Sequence, residues 1–299
     1  MATLREIRRR ISGIRSTQKI TRAMKMVAAS KLRRAQEAIV STRPYARKMG
    51  ELLRHLVTKV DVSIHPLLAS REVKRVLLVV VTADRGLCGA FNSNITRSAL
   101  QHIKANYSDQ LEAAGGLRLL TVGKKGSDYF ARQLYEIYGK HVGIFHSLDF
   151  SHARSIVDQV AQGYLSGEID KVEVIYNEFK SVIQQRIVVE QLLPILPEEL
   201  KGPRDLRAMA QVEYIYEPSS AEIVMALVPR HLNFQMWRIL LESNAAEQGA
   251  RMTAMDNATE NARELIRDLT LKYNNARQAA ITKELLEIVS GAEALRRTG

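Results

Sequence analysis

Between Leu232 and Leu295 the chain has no proline and only two glycines, Gly249 and Gly291. Apolar or small residues recur there at Ala258, Ala262, Leu265, Leu269, Tyr273, Ala276 and Ala280, spaced 4, 3, 4, 4, 3 and 4. Ile281, Leu285, Ile288, Ala292 and Leu295 form a second run. Spacing of three and four sustained over this length predicts one long helix with a seam of coiled-coil type. Alanine is frequent on the seam, which lets a partner helix approach closely. A helix of this length cannot bury its own stripe, so a second long element must cover it.

The other end of the chain supplies one. Leu4, Ile7, Ile11 and Ile14 are spaced 3, 4 and 3. After a polar interval at Gln18 and Thr21, the stripe resumes at Ile20, Met24, Ala28, Leu32, Ala35 and Ile39. Gly13 is the only glycine before Gly50, and Pro44 marks a kink or a joint. At ~1.5 Å per residue the first 58 residues would span roughly 80 Å. The two terminal segments must therefore meet in space along their stripes.

Charge is concentrated on the first of these segments. The whole chain carries +12. Residues 1–60 hold 16 Lys and Arg against three acids (Glu6, Glu37 and Glu51), a net of +13, and the remaining 239 residues hold 28 basic and 29 acidic side chains, a net of −1. Such a segment calls for an anionic partner: nucleic acid, a membrane surface or an acidic protein surface. Nucleic acid fits poorly. The basic residues interleave with an apolar stripe, and Tyr45 is the only aromatic among them, so there is no base-stacking platform. No membrane span is expected either, because the longest apolar run is Val76 to Val81, far short of ~20 residues. The arginine-rich start is followed by no long apolar run, so it is not a secretory signal. Its pattern continues unbroken for some fifty residues and reads as mature structure.

The middle of the chain has another texture. Val76 to Val81 is a β-branched run of buried-strand type, and Leu117–Val122 and Val172–Tyr176 are similar. Helical patterns lie between them at 94–111, 127–138 and 151–165. This alternation predicts a parallel, doubly wound sheet. The expected fold class is thus α/β: a long coiled coil of N- and C-terminal helices with an inserted Rossmann-like α/β domain. The segments are 1–58, 76–217 and 230–297.

Two loops invite a binding role. Asp84-Arg85-Gly86-Leu87-Cys88-Gly89 follows the first strand, where doubly wound folds place phosphate loops. Its glycine spacing matches neither dinucleotide nor P-loop fingerprints. A strand-end turn on a binding surface is the competing reading. Gly123-Lys124-Lys125-Gly126 is either an anion cradle or a turn with solvated lysines. The seven histidines form no i, i+4 metal pair with a nearby acid, and no nucleophile elbow is present. Cys88 is the only cysteine, so no internal disulfide is possible. Near the C-terminus, Glu242-Ser243-Asn244, Glu247 to Met252 and Asp256-Asn257 make the helix polar on most faces, as do Arg277-Gln278 and Thr282-Lys283-Glu284. Such a helix is either solvated or surrounded by other protein.

Three ordered segments carry a resemblance. Thr17-Gln18-Lys19-Ile20-Thr21-Arg22-Ala23-Met24-Lys25-Met26-Val27-Ala28-Ala29-Ser30-Lys31 resembles the N-terminal helix signature of the F-type ATP synthase γ-subunit family, as Thr82 to Gly89 resembles its loop after the first strand. Glu247 to Met252, Ala254 to Thr259, Tyr273-Asn274, Ala276 to Ala279, Ile281 to Leu285 and Ile288 to Ala292 resemble its tail.

The resemblance implies that the two terminal helices form an antiparallel coiled coil, and that the chain is a bacterial-type rotor shaft with no catalytic residue, cofactor or metal of its own. Proton flow would turn the membrane c ring, the shaft would turn with it, and the catalytic β subunits would be driven through successive states. It implies α, β and ε subunits and the c ring as partners, no nucleic acid, and membrane association only through the complex. The expected location is the cytoplasmic face of the bacterial plasma membrane, with the matrix side of the mitochondrial inner membrane as the alternative. Met24, Lys25, Asp84, Arg85 and Cys88 would meet an acidic lever of the β subunits. Gln248, Arg251, Arg277, Gln278, Thr282 and Glu284 would touch the surrounding ring or brace the shaft. Ile288, Val289, Ala292 and Leu295 would form an apolar bearing tip, and Tyr214 and Tyr216 would face the c ring. A lone cysteine excludes the redox-active pair of the chloroplast form.

Overall fold

The computed structural model describes residues 3–57, 65–133, 135–181, 184–195, 217 and 219–298. Helix α1 runs over Leu4–Val57 with Pro44 inside it. Strand β1 is Val76–Val81, followed by α2 (Phe91–Asn106) and α3 (Ser108–Glu112). Then come β2 (Leu117–Val122), α4 (Lys124–Phe130), β3 (Glu136–His141) and α5 (Phe150–Leu165). Strands β4 (Lys171–Phe179) and β5 (Gln185–Leu193) precede α6, a 79-residue helix over Ser220–Thr298.

By contacts the chain divides into two compact units, Ala28–Arg251 and Met1–Val27 with Met252–Gly299. The division cuts both long helices rather than falling at their ends, where the sequence places the boundaries.

The larger unit is built on a five-stranded sheet in the order β3-β2-β1-β4-β5. β1 lies parallel to β2 and β4, and β2 lies parallel to β3. β1 is buried along its whole length because both sheet faces are covered. Successive side chains point to opposite faces. Leu77, Val79 and Val81 join one core with Ile156 and Val160 of α5, Leu53 of α1, and Leu232 and Met236 of α6. Val76, Leu78 and Val80 join the other with Ile95, Ala99 and Ile103 of α2. Each such side chain contributes about 1.5–3 kcal/mol when fully buried. Further along, Leu32, Ala35 and Ile39 of α1 pack with Leu241 and Ala245 of α6.

The sheet is mixed, not wholly parallel. β5 pairs antiparallel with β4. The helix expected over 127–138 ends at Phe130, and β3 begins at Glu136. Both unanticipated strands lie at sheet edges. Their residues are mostly half-buried, so β3 (Glu-Ile-Tyr-Gly-Lys-His) lacks the continuous apolar run that reveals a central strand.

In the smaller unit, Thr21 Oγ1 meets Thr259 Oγ1 at 2.7 Å, and Lys25 Nζ meets Asp256 Oδ1 at 2.6 Å. Contact positions rise along α1 as they fall along α6, so the helices run antiparallel. The 3/4 alternation passes through Gln18 and Thr21 instead of breaking there: Thr21 is 8% exposed and Ile20 is 60% exposed. A threonine pair satisfies both hydroxyls within the seam, which removes the cost of burying them. Likewise Ile266 takes the inward position expected for Leu265, which is exposed.

The end of β2 is set by close backbone approach. Gly123 has φ 93°, and a Cβ there would sit 2.2 Å from the Thr82 carbonyl oxygen. Gly123→Ala is therefore expected to cost at least about 1–3 kcal/mol from the positive φ alone, with the clash in addition. A thermal melt should show the loss as a drop of several degrees in Tm.

Candidate functional site

The carboxyl ends of β1, β2 and β3 converge on one carboxylate. Asp84 Oδ1 accepts the backbone N–H of Lys124 at 3.0 Å and of Gly143 at 2.8 Å. Its Oδ2 accepts that of Phe145 at 3.0 Å. One side chain thus ties together the loops that follow three strands. Its place on the first residues after β1 is what allows this, since both neighbouring loops lie within a side chain's reach.

The same turn is fixed from below. Asn92 Oδ1 accepts from Ala83 N at 2.9 Å, and Asn92 Nδ2 donates to Cys88 Sγ at 3.2 Å. Cys88 is 1% exposed, packed with Ala83, Phe91 and Ala246. Burial pushes its thiol pKa up, with Arg251 opposing the shift. It is an inert packed thiol, not a nucleophile. Leu87 holds φ 63° and is 64% exposed, and Arg85 beside it is also exposed. A branched residue in left-handed backbone persists only where its surroundings over-determine it.

Helix α6 supplies the last restraint. Arg251 is 9% exposed. Its Nη1 pairs with Glu247 Oε1 at 2.6 Å and donates to Gln248 Oε1 at 3.2 Å. Its Nη2 donates to the carbonyls of Gly86 at 3.2 Å and Arg85 at 3.5 Å. One guanidinium therefore joins α6 to the turn after β1. Burial pushes the Glu247 carboxyl up, and pairing with Arg251 offsets this only in part. Sequence reasoning did not single out Glu247, although its i, i+4 spacing to Arg251 was there to read.

An open cleft of about 340 Å³ lies over this turn, lined by Lys31, Asp84, Arg85, Lys124, His146 and Arg251 among others. Lys31, Arg85 and Lys124 carry no ion pair among the described residues. The first amides of α4 are all in use. Lys124 N bonds Asp84, Lys125 N bonds Ala83 O, Gly126 N bonds Thr82 Oγ1 and Ser127 N bonds Gly123 O. These four amides are spent within the fold, so the Gly123–Gly126 loop is a turn and not an anion cradle built on them. What remains is a basic rim of long side chains around a rigid turn. Among the described residues no group of His, Cys, Asp and Glu is arranged to hold a metal.

The other expected residues are dispersed. Met24 is partly buried, and Lys25 is engaged with Asp256. Gln248 is 4% exposed and braced within α6 and against Arg251, so it offers no free surface. Arg277, Gln278, Thr282 and Glu284 are exposed. Thr282 Oγ1 bonds the Gln278 carbonyl within the helix, and Arg277 and Glu284 make no ion pair among the described residues. Ile288, Val289 and Ala292 are exposed on a stretch where every residue from 281 to 292 is exposed. The Leu295 side chain, Tyr214 and Tyr216 lie outside the described residues.

Two long terminal helices with a mixed five-stranded α/β body between them in sequence define the class of fold. The sequence model of the family described as ATP synthase matches residues 3–295. The ATP synthase gamma chain of Prosthecochloris aestuarii is 56% identical over 299 residues, covering all of both chains. A chain of the Tetrahymena thermophila mitochondrial ATP synthase central stalk and c ring superposes with TM-score 0.59 at 30% identity, covering 80% of this chain and 99% of that one. A chain of the Euglena gracilis mitochondrial ATP synthase superposes with TM-score 0.66 at 20% identity, covering 98% and 94%. The chain belongs to the ATP synthase gamma chain family.

The Arg251–Glu247 pair yields a stability test. Arg251→Met leaves a buried carboxylate without its partner and should cost about 3–5 kcal/mol. Arg251→Met combined with Glu247→Gln should recover much of that loss. Denaturant melts of the two variants measure both, and equal destabilisation would show that the carbonyl bonds, not the ion pair, carry the effect.

Proposed function

We propose that this chain is the rotating central shaft of a proton-translocating F-type ATP synthase and performs no chemistry itself. The observation that carries this reading is full-length identity above 50% to chains named as ATP synthase gamma chains. The physical properties of the chain agree with it. Coupling by rotation requires a rigid element whose surface differs around its circumference, and whose contacts favour different states of a partner.

On this reading the α and β subunits of the catalytic head surround the paired helices. The α/β body faces the ε subunit and the membrane c ring. No helix among the described residues is long and apolar enough to cross a membrane, so attachment comes through the complex. The location we infer is the cytoplasmic face of a bacterial plasma membrane.

Burial bears on which residues of the turn an acidic lever would meet. Cys88 is buried and the Asp84 carboxylate is occupied by three amides. An acidic lever would instead meet Arg85 and Leu87, the exposed members of the turn, with Lys31 and Lys124 beside them. Met24 and Lys25 would form a second contact. The Lys25–Asp256 pair is solvent-exposed and worth about 0–1 kcal/mol, so Lys25 can exchange partners at little cost. The exposed apolar residues Ile288, Val289 and Ala292 would turn within an apolar bearing, because apolar contact is non-directional and resists rotation little.

Met24→Lys adds a cation beside Lys25 and should overstabilise one lever position. In the assembled complex, proton pumping per ATP hydrolysed should fall about fivefold or more, with the Tm of the chain within a few degrees of the parent. An unchanged ratio would remove Met24 from the lever contact.

A further inference from the structure

The α/β body meets α6 mainly through apolar packing. Val224, Val228, Leu232, Met236, Ile239 and Leu240 share a core with Val172, Val174, Leu192 and Leu193 of the sheet. Apolar contact of this kind has no preferred direction, so it holds surfaces together better than it stops them sliding. Besides the bonds of Arg251 to the turn after β1, a polar cluster crosses this contact to β4 and β5. Arg238 of α6 donates from Nη1 to Tyr176 Oη at 3.0 Å, on β4, and from Nη2 to Glu190 Oε2 at 2.5 Å, on β5. Tyr176 Oη in turn donates to Glu190 Oε1 at 2.6 Å. The triangle is closed, and each oxygen of Glu190 has a donor. The Tyr176 ring is fully buried. Glu242, one turn further along α6, lies 3.5 Å from Arg238 Nη1.

We propose that Arg238 is a positioning residue for rotary coupling, a shear lock that fixes α6 against strands β4 and β5. The inference rests on the shaft reading above and adds the place where torque passes between the α/β body and the C-terminal helix. The physical reason lies in the guanidinium. Its planar fork makes two bonds of fixed direction to two different strands. Any slide of α6 along the sheet lengthens one bond as it bends the other. Because both partners stand on strands of a hydrogen-bonded pair, they cannot follow the helix independently. Arg238 touches no reacting group; it acts by holding one element against another.

The test uses the assembled complex in membrane vesicles. Arg238→Met combined with Glu190→Gln and Glu242→Gln removes the paired charges together, so that no buried carboxylate is left without its cation. It should assemble and hydrolyse ATP within about twofold of the parent, while proton pumping per ATP hydrolysed falls about fivefold. Arg238→Lys keeps the charge but offers no fork, so its ratio should fall between the two. A merely structural role predicts lower Tm and lower yield with the ratio unchanged, and that result would overturn the proposal. If the combined variant fails to assemble, Tyr176→Phe keeps the buried ring and removes one strand's bond; an unchanged ratio there overturns the proposal equally. The two readings fail separately. A parent complex that hydrolyses ATP without pumping protons contradicts the shaft assignment, whereas a parent that pumps and variants that match it contradict the lock alone.

Discussion

Neither long helix can bury its apolar seam alone, and the rest of the molecule follows from that constraint. α1 begins the chain and α6 ends it, so the two seams meet only if the intervening residues return the chain to its start. The α/β body does this, and it adds its own core to the inner lengths of both helices. Small residues on the seam permit close approach. Where polar side chains enter it, as at Thr21 and Thr259, they satisfy each other across the pair. From 281 to 292, where no partner helix covers α6 among the described residues, the apolar side chains stand exposed, which suits a surface completed by other subunits.

The body holds itself to the helices with a few directional bonds set in apolar packing. Asp84 gathers three loops, and Arg251 joins their turn to α6. Arg238 ties the β4–β5 edge of the sheet to the same helix. Buried ionic groups of this sort add little net stability compared with apolar replacements, but removing one partner is costly. Their value lies in fixing register. A subunit that works by turning needs register more than it needs a deep well of stability.

Much of this was legible in the sequence. The helical seams and the three central strands followed from periodicity and from the β-branched runs. The edge strands β3 and β5 were not legible, because a strand half-exposed to solvent mixes polar and apolar residues without a clean period. Ile20 and Leu265 misled because apolar identity suggested the seam, whereas the running 3/4 register assigned it to Thr21 and Ile266. At the site, the motif pointed to the turn after β1 but not to its wiring. Asp84 looked like a contact residue and is an internal tie; Cys88 looked accessible and is buried. Nothing in a linear sequence distinguishes an aspartate facing solvent from one receiving three amides of distant loops. Tertiary placement decides that, as it decides which arginine of a polar helix turns inward.

The central claim is that this chain turns. Its native thiol is buried, so a probe belongs on an introduced cysteine, for which the exposed Lys104 of α2 is suitable. With the α and β subunits fixed to a surface and ATP supplied, the account predicts stepwise, one-way rotation of the probe that stops when ATP is withdrawn. An assembled complex that hydrolyses ATP while the probe stays still would contradict it.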